Sequence, residues 1–266
     1  MGVDRRAVDC RLTPAGAPTP RRDRNPMELW LVDLQRAVPA LEALEREVPR
    51  LSADDRTRAA RLSEPGERRH RLAAYMALRI ALERMGGAAV RRRPFTRAVG
   101  GKPHLGEAAP SFSLSHTGGL ALLGVARSRP IGVDLEAHRC LRMSPRRRRE
   151  ILAIGAGLAV RSLSDGTDAA PTLQAWCRLE AYAKATGHGV GRILAGLELR
   201  QGRGRQLAPG EIEAAARRLV REAGLTVGDL RLTPGLYGAV AYAGLRTVPR
   251  LRRFPADMRG IARLLG

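Results

Sequence analysis

The stretch Leu120-Ala121-Leu122-Leu123-Gly124-Val125-Ala126-Arg127-Ser128-Arg129-Pro130-Ile131-Gly132-Val133-Asp134-Leu135-Glu136 decides how the chain is read. Its first seven residues are apolar and too few for an ordinary helix, so they read as a buried strand. Ser128-Arg129-Pro130 has turn composition, and Ile131, Val133 and Leu135 then alternate with Gly132, Asp134 and Glu136 at the period of a second strand. A hairpin is the expectation. Residues 237–243, Tyr-Gly-Ala-Val-Ala-Tyr-Ala, share the small apolar character of 120–126 and read as its counterpart. Working outward, the chain falls into two blocks, 27–127 and 128–246, each with a long helical pattern and a closing strand rich in Ala, Val and Gly. The expected fold is α/β in the α+β sense. It comprises two pseudo-symmetric lobes, each a small sheet packed with a long helix, with a site in the cleft between them.

The remaining segments attach to that frame. Residues 1–26 read as a flexible basic tail and 27–34 as an opening strand. Helical spacing follows at 41–48, at 53–62 behind Ser52 and two aspartates, and at 67–85 up to Gly86-Gly87. A basic loop covers 91–101, and 111–116 alternates as a short strand before Gly118-Gly119. In the second block 146–157 and 173–187 read as helices around a loop at 162–168, and 192–206 alternates like a strand. Residues 209–223 read as a helix, 231–232 and 237–243 as late strands, and 247–266 as a basic C-terminal tail.

Composition bounds the function. The 266 residues are 44% apolar, which supports a packed core and excludes disorder and collagen. No apolar run approaches the roughly 20 residues of a membrane span, and 1–26 has no secretory apolar stretch, so a cytoplasmic protein without a membrane partner is expected. Cys10, Cys140 and Cys177 are odd in number and widely spaced, against both a disulfide framework and a zinc quartet. The 47 basic residues exceed the 26 acidic ones by 21, which points to an anionic partner. Of the 47, only Lys102 and Lys184 are lysine. That bias makes much of the charge a habit of composition and draws attention to the two lysines, because an ammonium is compact where a guanidinium is a planar fork. An arginine-rich nucleic-acid-binding protein is the competing class, on the net charge, Arg91-Arg92-Arg93 and Arg146-Arg147-Arg148-Arg149. An aromatic content of 3% leaves it few stacking platforms.

Chemistry concentrates in few places. Asp134 and Glu136, two apart on a strand, share a face; they are either a solvated pair or an oxygen site for a hard cation such as magnesium. Glu180 and Lys184 lie one helical turn apart with Trp176 a turn earlier, an arrangement that as a mere surface pair contributes only about 0.3 kcal/mol. Ser115-His116 stands at a strand end before a glycine pair, a place where phosphate-binding groups are displayed. No Gly-x-Ser-x-Gly elbow, Walker A loop, dinucleotide fingerprint or His-Glu-x-x-His occurs.

Four segments occur in order: Gly101-Lys102-Pro103; Phe112-Ser113-Leu114-Ser115-His116-Thr117; Ile131-Gly132-Val133-Asp134-Leu135-Glu136; and Trp176-Cys177-Arg178-Leu179-Glu180-Ala181-Tyr182-Ala183-Lys184-Ala185-Thr186-Gly187. In these the sequence resembles the 4'-phosphopantetheinyl transferases of the surfactin-synthetase-activating type, over residues 27–245. It departs from them at Ser113, where asparagine is frequent, and at Leu179, where lysine precedes the glutamate. The resemblance implies a two-lobed cytoplasmic monomer with its active site in the inter-lobe cleft. It would move the phosphopantetheine arm of coenzyme A to a serine of an acidic acyl or peptidyl carrier protein, releasing adenosine 3',5'-bisphosphate. It further implies magnesium on Asp134, Glu136 and Glu180, catalysis by Glu180 and Lys184, and coenzyme A on Lys102, Ser115 and His116, with Arg58 and Arg71 as further contacts.

Overall fold

The structure, a computed structural model, describes residues 27–97, 101–159, 169–199, 207–244 and 249–266. The loop expected at 162–168 and the tail expected at 1–26 lie outside these residues.

The first lobe opens with strand β1 (Met27–Asp33), which runs directly into helix α1 (Leu34–Glu47), Asp33 capping it by accepting from Arg36 N at 3.1 Å. Helix α2 (Ala53–Ala60) starts at Ser52 with a reciprocal cap: Asp55 N donates to Ser52 Oγ and Ser52 N to Asp55 Oδ2. Helix α3 (Pro65–Gly86) is the long helix of this lobe. A two-stranded ribbon, β2 (Thr96–Arg97) and β3 (Pro103–His104), precedes β4 (Ser111–Thr117), the turn Gly118-Gly119 with both φ positive, and β5 (Leu120–Ala126). The second lobe holds β6 (Ile131–Ala137), α4 (Pro145–Leu158), α5 (Ala169–Thr186), α6 (Val190–Leu199), α7 (Pro209–Glu222), β7 (Leu225–Asp229) and β8 (Leu236–Ala243). The chain closes with β9 (Leu251–Arg253) and α8 (Met258–Leu265).

Two small sheets result, ordered β4-β5-β1-β9 and β6-β8-β7. Each is packed with helices, the first with α1 and α3 and the second with α5, against which α4 and α7 lie as the outer layer, so the two-lobed, pseudo-symmetric α+β architecture is the observed one. The counterpart runs 120–126 and 237–243 lie in β5 and β8, each flanked by two strands in its own sheet. Alternation on β1 explains how the sheets stack. Trp30 and Val32 join the helix-covered core of the first lobe, while Met27 and Leu29 join a separate cluster with Leu122, Ile131, Val133, Leu135 and Val240, which glues the lobes together.

Several expectations are corrected. Residues 120–136 are not a hairpin: β5 bonds to β4 on one side and β1 on the other, and with both edges occupied β6 crosses to the second sheet. The hairpin is β4–β5. The alternating segment at 192–206 is helical through Leu199, with Ile193, Leu194 and Leu197 buried at helical spacing. The late strand lies at Leu225–Asp229 rather than 231–232. Residues 251–265, expected within a tail, return to the first lobe. There β9 pairs parallel with β1, Phe254 meets Trp30 edge-on, and Arg84 donates to Leu264 O at 2.8 Å and to buried Glu28 at 3.0 Å.

Candidate active site

Gly132 sets the geometry of the site. A Cβ there would lie 2.0 Å from Ala181 O and 2.4 Å from Ala185 N, so glycine lets α5 rest directly on β6. The alternate residue, Asp134, then faces α5, and the helix is locked over it by Arg178. This buried guanidinium donates to both carboxylate oxygens of Asp229 on β7, at 2.8 and 2.6 Å, and to Gly155 O at 2.9 Å. Lys184, half-exposed on α5, donates to Asp134 Oδ1 at 2.7 Å and to Ser115 Oγ at 3.3 Å. Ser115 Oγ in turn donates to Asp134 Oδ1 at 2.8 Å. A strand of the first lobe, a strand of the second and the long helix therefore converge on one carboxylate.

That carboxylate is only 4% exposed, and its second oxygen, Oδ2, is buried without a hydrogen-bond partner among the described residues. Glu180, one turn before Lys184, is half-buried; burial raises its carboxyl above the usual range, Lys184 opposes this, and Asp134 and Glu136 push it further up. Glu136 is held by Arg139 through both amino groups. Cys177 lies buried beneath, its Sγ 3.5 Å from Tyr237 O, and burial together with Asp134 and Glu136 keeps the thiol protonated. Among the described residues no three His, Cys, Asp or Glu side chains converge as a finished metal site.

Beside the cluster opens a cleft of about 320 Å³ lined from the first lobe by Arg58, Arg71, Tyr75, Phe95 and Phe112 and from the second by Glu180, Lys184 and His188. Arg58 is steadied by Asp54 at 2.8 Å, and the buried Nε of Arg71 has no hydrogen-bond partner among the described residues. Lys102 also lines the cleft, but its Nζ donates to Ile131 O at 3.0 Å and Ala185 O at 3.1 Å; burial lowers its pKa to about 8. Ser115 and His116 are half-buried at the end of β4 outside that lining, and burial, then Arg71, holds His116 below the usual histidine value, with Lys184 adding to the effect. Of the residues singled out in the sequence, Arg58, Arg71, Lys102, Glu180 and Lys184 line the cleft, Ser115 and Lys184 meet at Asp134, Glu136 turns to Arg139, and His116 lies in neither the lining nor the hydrogen-bonded cluster. The sequence reading missed Ser113, Thr117 and Arg178; the only signal for the first two was hydroxyls at alternate positions of a strand.

No family model matches the chain. HetI, a 4'-phosphopantetheinyl transferase of Nostoc sp., is 34% identical over 176 residues, covering 63% of this chain and 71% of its own length. The chain belongs to the 4'-phosphopantetheinyl transferase family. A second relative, the Synechocystis sp. protein slr0495, which also bears the name of a 4'-phosphopantetheinyl transferase, is 28% identical over 167 residues, 61% of this chain and 65% of that one. The chain thus spans about two thirds of each curated transferase it matches. In this chain Leu179, which precedes Glu180, is fully buried in the second-lobe core, where an ammonium would be costly. No helix among the described residues is long and apolar enough to cross a membrane.

Proposed function

We propose that this chain transfers the 4'-phosphopantetheine arm of coenzyme A to the serine hydroxyl of an apo carrier protein, in the manner of the surfactin-synthetase-activating type, releasing adenosine 3',5'-bisphosphate. The observation that carries the reading is the Lys184–Asp134–Ser115 cluster, where both lobes meet beside the cleft. In this reading Arg58 and Arg71 bind the nucleotide phosphates and His116, held neutral by its surroundings, donates a hydrogen bond to them.

Carboxylate oxygens are the donors a hard divalent cation takes. Glu180 feels the charges of Asp134 and Glu136, and Asp134 presents a buried oxygen without a hydrogen-bond partner among the described residues. Asp134, Glu136 and Glu180 would hold magnesium, which when bound neutralises charge on the pyrophosphate and polarises the attacked phosphorus. Glu180, which lines the cleft beside Lys184, accepts the proton of the carrier serine. Lys184 places its ammonium on phosphate oxygens as negative charge redistributes.

The expected partner is acidic, since 47 basic residues face 26 acidic ones. Arg146 and Arg147, in the first turn of α4, both pair with Glu150, and Arg148 Nε donates to Thr172 at 3.0 Å, so Arg149 is the exposed member of that run best suited to a carrier. The test is intact-mass analysis of an apo carrier incubated with the chain, coenzyme A and magnesium. The carrier gains one phosphopantetheine, and a carrier with its serine changed to alanine gains none; an unmodified wild-type carrier would refute the reading.

A further inference from the structure

The lobes meet along a seam in which side chains do what main chain does inside each sheet. Among the described residues strand β4 is an edge of the first sheet and β6 an edge of the second, where β6 is hydrogen-bonded to β8. The two edges run side by side in the same direction. Alternate side chains of β4, which share one face, reach across. Val133 N donates to Ser113 Oγ at 3.0 Å, Ser115 Oγ to Asp134 Oδ1 at 2.8 Å, and Ala137 N to Thr117 Oγ1 at 3.4 Å. Lys102 closes the row at the start of β6, its ammonium joining Ile131 O to Ala185 O at the end of α5.

This row answers a physical need. A buried edge amide without a partner costs about 1–3 kcal/mol, and among the described residues no strand pairs with β6 on this side. Ser113, 6% exposed at the wall of the cleft, supplies the acceptor for Val133, so its hydroxyl joins the lobes where they border the cleft. Two of the three protons of the Lys102 ammonium are likewise directed at carbonyls of the second lobe. The cleft is lined by both lobes, so the distance between a substrate held by Arg58 and Arg71 and the groups on Asp134, Glu180 and Lys184 is the distance between lobes. Misplacement by 1 Å can cost about a hundredfold in rate.

We propose that the hydroxyl row of β4, with Lys102, fixes the spacing of the lobes, and that Ser113, Thr117 and Lys102 are positioning residues for transfer; the inference rests on the reaction proposed above. Ser115 belongs to the same row but touches Asp134 and Lys184 and is left out of the test.

The experiment uses the full chain with Ser113→Ala, Ser113→Thr, Thr117→Val and Lys102→Met. It reads amide hydrogen exchange along β6 together with kcat and the KM for coenzyme A. Ser113→Ala is expected to speed exchange at Val133, and Thr117→Val at Ala137, by about tenfold or more as each bond is lost. The expected effect on kcat is a fall of about fivefold or more in these two and in Lys102→Met, with the KM for coenzyme A within about threefold of wild type in Ser113→Ala and Thr117→Val; Lys102, which also lines the cleft, is read by kcat alone. Ser113→Thr, which keeps the hydroxyl, restores both readouts. Should Ser113→Ala fail to fold, Thr117→Val, a near-isosteric change at a half-buried position, carries the test with Lys102→Met. Unchanged exchange, unchanged kcat despite faster exchange, or a loss confined to the KM for coenzyme A would each overturn the proposal, the last by making these residues substrate ligands. A wild-type chain that transfers nothing would refute the reaction instead, while the exchange readout would still report on the seam.

Discussion

Lys184 Nζ lies 2.7 Å from Asp134 Oδ1, although the two residues are 50 apart in the chain and sit on a helix and on a strand that touch only because Gly132 has no side chain. The chemistry of the site therefore depends on a glycine that takes no part in it.

Gly132→Ala should separate β6 from α5, because the new methyl would fall within 2.0 Å of Ala181 O, a backbone atom of a packed helix. Overpacking of this kind costs about 1–3 kcal/mol or more. Denaturant melts should show that loss, and transfer should fall even in the fraction that remains folded. A variant as stable and active as wild type would mean that the helix does not rest on the strand as described.

Lys184→Arg should not be neutral, for all the arginine elsewhere in the chain. The ammonium fits between Ser115 Oγ and Asp134 Oδ1, and the wider guanidinium cannot repeat that contact at the same backbone spacing. Steady-state kinetics should show kcat lower by about tenfold or more, the loss of one charged transition-state contact. Wild-type kcat in this variant would reduce Lys184 to a helix partner of Glu180.

How far the sequence could be read is clear from particular elements. The strands β1, β5 and β8 and the helices α3 and α5 announce themselves by apolar runs and by 3.6-residue periodicity, which are local properties. Which edge a strand occupies is not local: 120–136 looks like a hairpin, and only the pairing of β5 with β4 and β1 shows that no edge is left for β6. The same holds for β9, which pairs with β1 across the whole chain and whose Leu251 is set among arginines that suggest a tail. Pro39 within α1 hides that helix's first turn. In the site, Asp134, Glu180, Lys184 and Lys102 stood out by charge type against an arginine background. Ser113 and Thr117 did not, because hydroxyls at alternate strand positions normally mark a solvated face.

Stability should rise with pH in one window on account of Lys102. Burial lowers its pKa in the folded chain to about 8 from the ordinary 10.5. Between those values the unfolded chain holds a proton that the folded chain has released, so stability increases with pH from about 8 to 10.5; below 8 both states are protonated and above 10.5 both are neutral. The difference between wild type and Lys102→Met in denaturant melts should show this rise, and equal pH dependence of the two proteins would remove the assignment.

Glu180→Gln should be nearly inactive with magnesium present at every pH where wild type works, because in the proposed reaction the amide can neither carry the negative charge that holds the cation nor accept the serine proton. Single-turnover transfer read by carrier mass checks it, and an active Glu180→Gln would assign the base elsewhere.

The decisive comparison is a single-turnover transfer by wild type and Asp134→Asn, read as the intact mass of the carrier with coenzyme A and magnesium present, with circular dichroism confirming that both proteins are folded. Asparagine keeps the size and a hydrogen bond to Lys184 but lacks the negative charge on the buried, unpartnered oxygen. Wild type should convert the carrier fully, while the variant should be slower by at least about a hundredfold, the scale of removing one central electrostatic group. Equal conversion by the two proteins would contradict the placement of the reaction at the junction of β6 and α5.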